Sequence, residues 1–125
     1  MQTIVYKQTK EFERDLKSLL KKFPSLIDDI EIAKSFTIEL FHLQKVNKQA
    51  IFLIPNFCSD ELKICKIKKF ACKALKGRGA QSGIRVIYAY YVLTNNVDFI
   101  EMYFKGEKEN EDRDRIKEYL KKIII

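Results

Sequence analysis

The sequence predicts an α+β domain: a small antiparallel β-sheet packed against an N-terminal helical hairpin and a C-terminal helix, the helices lying on one side of the sheet. Three observations carry this. Apolar residues recur at helical spacing near both ends of the chain. The centre holds runs rich in β-branched and aromatic residues, which suit a pleated surface. Glycine, asparagine and proline punctuate the boundaries. The 125 residues fit one domain, 1–125, and show no repeat, low-complexity stretch or linker.

Ile4 and Val5 lie in a short opening run that suits an edge strand. Phe12, Leu16, Leu19, Leu20 and Phe23 mark a first helix, which Pro24 ends by removing a donor and restricting the residue before it. Ser25 is placed to cap a second helix, and Asp28 suits its N-terminal dipole. That helix carries Leu26, Ile30, Ala33, Phe36, Leu40 and Phe41 on one face. From residue 44 to 60 the period is lost. Ile51 to Ile54 fits a strand, a cap on the core or a partner-binding flap, and the role of residues 46–61 stays open.

A strand is expected from about Leu62 to Cys72, its alternation placing Leu62, Ile64, Lys66, Lys68 and Phe70 on one face. Gly77, Gly79 and Gly83 belong to a basic connecting loop. Ile84 to Val92 is the clearest strand, Asn95-Asn96 a hairpin turn, and Val97 to Phe104 the returning strand. From Glu109 the chain reads as a helix with Ile116, Tyr119, Leu120 and Ile123 inward, acids in its first turn and lysines in its last. The tail Ile123-Ile124-Ile125 is too short for an anchor.

Composition narrows the classes. Hydrophobic residues at 46% and charged residues at 33% give a globular, soluble profile. The apolar runs are too short to span a membrane and Met1 to Lys10 lacks a signal-like apolar region, so a cytoplasmic location without membrane contact is expected. Cys58, Cys65 and Cys72 are an odd set whose spacing matches no zinc pattern, and the single His42 is far off in sequence; reduced thiols, no metal and no cofactor are expected.

The net charge of +7 is concentrated. From Glu61 to Arg85 there are eight basic residues (Lys63, Lys66, Lys68, Lys69, Lys73, Lys76, Arg78, Arg85) and one acid, and the remainder of the chain balances. A local patch points to a polyanion; lysines guarding a sheet edge are the plainer reading. Lys73, Lys76 and Arg78 among glycines suit RNA phosphates, read without sequence. Tyr88, Tyr90 and Tyr91 fit core packing better than base stacking. His42 falls outside the basic segment and reads as a helix position, buried or at the surface, rather than a catalyst. Lys66 and Lys68, two apart on one strand, would lower each other's pKa toward a usable base. Arg85 on the next strand could grip phosphate oxygens at two points.

Certain motifs carry a resemblance. Ile67-Lys68-Lys69-Phe70-Ala71-Cys72-Lys73 is followed by Leu75-Lys76-Gly77-Arg78-Gly79 and by Ser82-Gly83-Ile84-Arg85-Val86-Ile87-Tyr88. After the hairpin comes Phe99-Ile100-Glu101-Met102-Tyr103-Phe104-Lys105-Gly106-Glu107-Lys108-Glu109. This order, with Lys22-Phe23-Pro24-Ser25-Leu26 between the helices, resembles the RelE/ParE superfamily of type II toxin–antitoxin toxins over residues 1–45 and 62–123. The resemblance implies a RelE-like fold, a bacterial toxin and a cognate antitoxin. RelE-like members cleave mRNA at the ribosomal decoding site and inhibit translation as mRNA interferases. ParE-like members inhibit DNA gyrase instead. A metal-independent endoribonuclease acting on ribosome-bound mRNA is the expected function. A gyrase inhibitor and an inactive RNA-binding relative are the alternatives.

By resemblance, Lys66, Lys68 and Arg85 fall at catalytic basic positions, with Lys69 competing for the lysine alignment. Lys105 and Lys108 follow the last strand, where they would bind phosphate or donate the final proton. Lys63, Lys69, Lys73, Lys76 and Arg78 would contact RNA. The chain departs from the pattern after Lys108: the family's substrate-stacking tyrosine is missing there, and the next Tyr, Tyr119, sits in an apolar helical stripe.

Overall fold

The computed structural model describes residues 3–47, 49–79 and 81–124. The chain runs β1 (Val5–Gln8), α1 (Lys10–Leu20), α2 (Leu26–Ala33), a π-turn (Lys34–Ile38), α3 (Glu39–His42), β2 (Ile51–Leu53), β3 (Leu62–Ile67), β4 (Ile84–Tyr91), β5 (Asn96–Phe104) and α4 (Arg113–Ile124). The five strands form one sheet in the order β1-β5-β4-β3-β2. Residue 125, the end of the isoleucine tail, lies outside the described residues, as do residues 1 and 2 of the opening run.

The α+β reading holds, two details differ from expectation, and one open point is resolved. β1 pairs with β5 in parallel, so the sheet is antiparallel everywhere except at that edge. The run before Pro55 is β2, which pairs with β3 and forms the opposite edge. The helices occupy both faces. Ile84, Val86, Tyr88 and Tyr90 of β4 pack with α1 and α2, whereas Ile87 and Ala89 pack with Ile116 and Tyr119 of α4. Successive strand residues point to opposite faces, and β4 is apolar on both, so each face needs a cover.

β3 is also shorter than its alternation suggests. It ends at Ile67, and Phe70 joins the core on the α1 face instead of continuing beside Lys66. In β5 the register shifts opposite Ile87 and Tyr88, leaving Ile100 as an extra residue. Such a bulge bends the strand and re-aims the side chains after it, so Glu101 and Tyr103 face the α4 side.

Side chains fix the ends of the elements. Thr9 caps α1 by accepting from the Phe12 N–H at 3.1 Å. Ser25 precedes α2 but does not cap it through its side chain; its hydroxyl donates to Asp29 Oδ2 at 2.6 Å and accepts from the Ala74 N–H at 2.8 Å. Beyond Phe99, where β1 stops, Asp15 accepts from the Met102 N–H at 3.0 Å and Arg115 donates to the Ile100 carbonyl at 3.1 Å. Arg115 also bonds Asp15 at 2.6 Å, so one ion pair ties α1 to α4 across the strand edge. No described helix is long and apolar enough to cross a membrane.

His42 is 7% exposed, stacked on Tyr90 with ring centroids 3.7 Å apart and bonded through Nε2 to the Tyr88 hydroxyl at 2.7 Å. Burial, aided by Lys45, pushes its pKa down to about 4. A histidine depressed in the folded state binds fewer protons than in the unfolded chain, so its contribution is present above pH 6.5 and is lost as pH falls toward 4. Urea denaturation should show a loss of up to about 3 kcal/mol across that window. A folded His42→Gln variant should lack this part of the slope; an unchanged slope would contradict the assignment.

Candidate functional site

The α4 face of the sheet presents two neighbouring rows. Phe52 of β2, Lys66 of β3, Ile87 of β4 and Glu101 of β5 stand opposite one another across the strands. Beside them, Arg85 stands opposite Tyr103 and donates through Nη1 to the Lys68 carbonyl at 2.8 Å. The Lys68 N–H in turn donates to the Ala50 carbonyl at 2.8 Å, so the chain past the end of β3 is held beside both neighbouring strands.

The first row is compensated by acids. Lys66 pairs with Glu111 at 2.8 Å, and both side chains are largely buried. Lys108 pairs with Glu101, which also accepts from the Asp112 N–H at 2.8 Å and is 1% exposed. The Tyr103 ring lies 5.8 Å from the Lys66 ammonium and 5.6 Å from that of Lys108. Its hydroxyl is buried without a hydrogen-bond partner among the described residues.

This corrects the expected chemistry of Lys66. Burial alone would lower its pKa, but the bond to Glu111 and the neighbouring Tyr103 outweigh that and raise it. Glu111 responds in the opposite sense: burial would raise it, and Lys66 and Arg113 hold it low. The pair with Glu111 thus favours the ammonium form of Lys66, in place of the lowering expected from a second lysine. Replacing Glu111 with Gln removes the carboxylate that offsets burial, so the Lys66 titration midpoint, followed by NMR at its side chain, is expected to fall. An unmoved midpoint would show that the pair does not control this lysine.

The second row differs in its partners. A cleft of about 340 Å³ is lined by Gln49, Phe52, Lys68, Lys69, Gln81 and Arg85. Among the described residues, neither Lys68 nor Arg85 has a carboxylate partner. The Arg85 bonds to described residues run through Nη1 alone. The main-chain N–H of Lys105 donates to the carbonyl of Gly83, which also lines the cleft, at 2.8 Å. Gly83 has φ +86°, and a Cβ there would press the Phe104 ring at 3.2 Å, so glycine suits the point where the loop re-enters the sheet.

The predicted site residues thus divide. Lys68, Lys69 and Arg85 line one cleft, Lys105 is tied to it by the main-chain bond to Gly83, and Lys66 and Lys108 stand in acid pairs. Lys73, Lys76 and Arg78 are exposed on the loop from Phe70 to Gln81. That loop is closed at its neck by the Phe70–Gln81 bridge and a Ser82 hydroxyl bond to the Phe70 carbonyl. Buried Asp29 fastens it to α2, accepting from the Lys73 N–H at 3.3 Å. Lys63 does not join the cleft: it stands opposite Tyr90, so its side chain leaves on the α1 face. His42 packs on that face as well, and Tyr88, Tyr90 and Tyr119 are core residues. The three cysteines are free thiols, two of them buried. Among the described residues no group of three His, Cys, Asp or Glu side chains could hold a metal ion.

Sequence reasoning missed Glu101, Glu111 and Phe52. A lone acid inside Phe99-Ile100-Glu101-Met102-Tyr103 was the available signal, because a strand buries a carboxylate only with partners. Glu111, in a run of acids and amides, gave none.

No family model and no curated protein matches this sequence. Among solved structures the chain is similar to one in the archaeal RelE–RelB complex from Pyrococcus horikoshii OT3. The TM-score is 0.52 at 13% identity, covering 84% of this chain and 98% of that one. The fold, a five-stranded sheet with flanking helices, is RelE-like.

Proposed function

We propose that this chain is the toxin of a toxin–antitoxin pair and that it cleaves mRNA on the ribosome through its cationic side chains. The observation that carries the reading is the cleft holding Arg85 and Lys68, two cations without carboxylate partners among the described residues, in a RelE-like fold. The similar structure is a RelE–RelB complex, which supports a protein antitoxin as partner.

In this reading Lys68 is the base, because Glu111 keeps Lys66 protonated. Lys68, an ammonium at rest, first gives up a proton to solvent; as the neutral amine it takes the proton of a 2′-hydroxyl, whose oxygen attacks the adjacent phosphorus. Arg85 stabilises the charge that builds on the non-bridging oxygens. The bond to the 5′-oxygen breaks, and Lys105, which follows the strand beside the cleft, gives that oxygen a proton. The products are a 2′,3′-cyclic phosphate and a 5′-hydroxyl. Lys66 and Lys108, compensated by Glu111 and Glu101, add no net charge, and Lys69, Lys73, Lys76 and Arg78 contact flanking phosphates.

The acid pairs favour a second reading, an RNA-binding relative that does not cut, since Glu111 and Glu101 occupy two of the expected catalytic lysines. Primer extension on a reporter mRNA in a purified translation system, with and without ribosomes, separates the readings. Cuts in phase with codons and only with ribosomes are expected. Salt-sensitive RNA binding without cuts would support the second reading. Intact mRNA with normal translation and inhibited DNA gyrase would reject both.

A further inference from the structure

We propose that Phe52 is the base-stacking residue of this cleft, taking a nucleobase of single-stranded RNA beside the phosphate held by Arg85 and Lys68; this rests on the RNA reading above. The first aromatic after Lys108 is Tyr119, which is buried in the core, yet a nuclease that aligns one phosphate also needs something to fix the adjoining nucleoside.

The geometry supplies it from the segment that the sequence left without a role. β2 buries Ile51 at 2% exposure and leaves Phe52 at 42%. Phe52 stands opposite Lys66, on the sheet face that carries Arg85, and lines the same cleft. The Lys68 ammonium lies 4.5 Å from its ring centroid. A half-exposed phenyl ring with a cation on it suits a base, whose flat face stacks while its phosphate meets the ammonium. Gln49 and Gln81 in the same lining offer amide donors and acceptors to a base edge.

The position is held rather than loose. The Ile54 N–H and the Lys68 N–H bond across β2 and β3 on either side of Phe52, at 2.9 and 2.8 Å. The Asn47 side chain brackets the outer edge of β2, donating to the Ile51 carbonyl at 3.1 Å and accepting from the Ala50 N–H at 3.2 Å. This anchoring keeps so short a strand in register and takes part of an edge that another strand could otherwise use.

The test uses the whole chain and a short single-stranded RNA carrying one 2-aminopurine, with an abasic oligonucleotide of equal phosphate count as the comparison. The parent protein should bind the base-bearing RNA more tightly and quench the 2-aminopurine. Phe52→Ala should lose roughly ten-fold or more of that affinity, bind both oligonucleotides alike and abolish the quench. Phe52→Tyr should restore both. Arg85→Ala should weaken both oligonucleotides while keeping the preference for bases. A parent that prefers bases, with Phe52→Ala retaining preference and quench, would overturn the stacking role and leave the RNA reading standing; Phe52 would then belong to a protein contact. A parent that binds neither oligonucleotide, at low salt or high, would overturn both.

Discussion

Arg85→Ala is expected to lose at least about a hundred-fold in mRNA cleavage while folding like the parent, the scale on which removal of a single transition-state donor acts. The side chain is half-buried at the cleft, and its bonds to described residues use Nη1 only, to the Lys68 and Ile84 carbonyls at 2.8 and 3.5 Å. It breaks no ion pair among the described residues when removed, and the flanking Ile84 and Val86, which are buried, hold β4 in place. The cost in stability should therefore stay near the roughly 0.5–1.5 kcal/mol of one ordinary hydrogen bond. Arg85→Lys keeps the charge and loses the planar fork, so it should recover binding more than rate. Growth arrest on expression, circular dichroism and cleavage rates together check this. Full toxicity of a folded Arg85→Ala protein would remove Arg85 from the site.

Glu101→Ala is expected to be the most destabilising substitution among the charged residues of the sheet, by roughly 2–4 kcal/mol. One carboxylate, 1% exposed, receives the Lys108 ammonium and the Asp112 N–H, and so joins the turn after β5 to the start of α4. Its loss strands that N–H in a buried setting, leaves a hole in the α4-side core and releases Lys108. Glu101→Gln fills the space and can still accept from Asp112, so it should cost less than half as much. Urea unfolding measures the difference. Hydrogen exchange should show α4 losing protection before β4 does. A change below about 0.5 kcal/mol, the range of ordinary surface substitutions, would show that this anchor is not needed.

The elements that rest on local pattern were legible. The stripe from Phe12 to Phe23, the β-branched run from Ile84 and the apolar stripe and closing lysines of the last helix carry their own signal, although that helix starts at Arg113 and not at Glu109. What was not legible depends on contacts distant in sequence. The parallel pairing of β1 with β5 joins Val5 to Asn96, and nothing near either residue encodes it. The face chosen by α4 was readable in principle, because Ile84 to Tyr91 has Arg85 as its single charged residue, and a strand apolar on both sides calls for two covers.

The candidate site shows the same division. The concentration of positive charge and the place of Arg85 came from the sequence. The neutralisation of Lys66 and Lys108 did not, because Glu111 lies 45 residues from Lys66 and reaches it only once α4 has packed. Lys68 kept its predicted neighbourhood for a different reason from the one expected. β3 has ended by then, and Lys68 is held beside the cleft by its N–H, bonded to the Ala50 carbonyl, and by its carbonyl, which accepts from the Arg85 side chain.

The most direct test of the central claim is the chemistry of the cut ends. If Lys68, Arg85 and Lys105 drive attack by the neighbouring 2′-hydroxyl, every cleaved mRNA should carry a 5′-hydroxyl, accepted by a polynucleotide kinase without prior phosphatase treatment, and a 2′,3′-cyclic phosphate. Ends bearing a 5′-phosphate and a free 3′-hydroxyl would contradict the account, because water and not the ribose would then be the nucleophile.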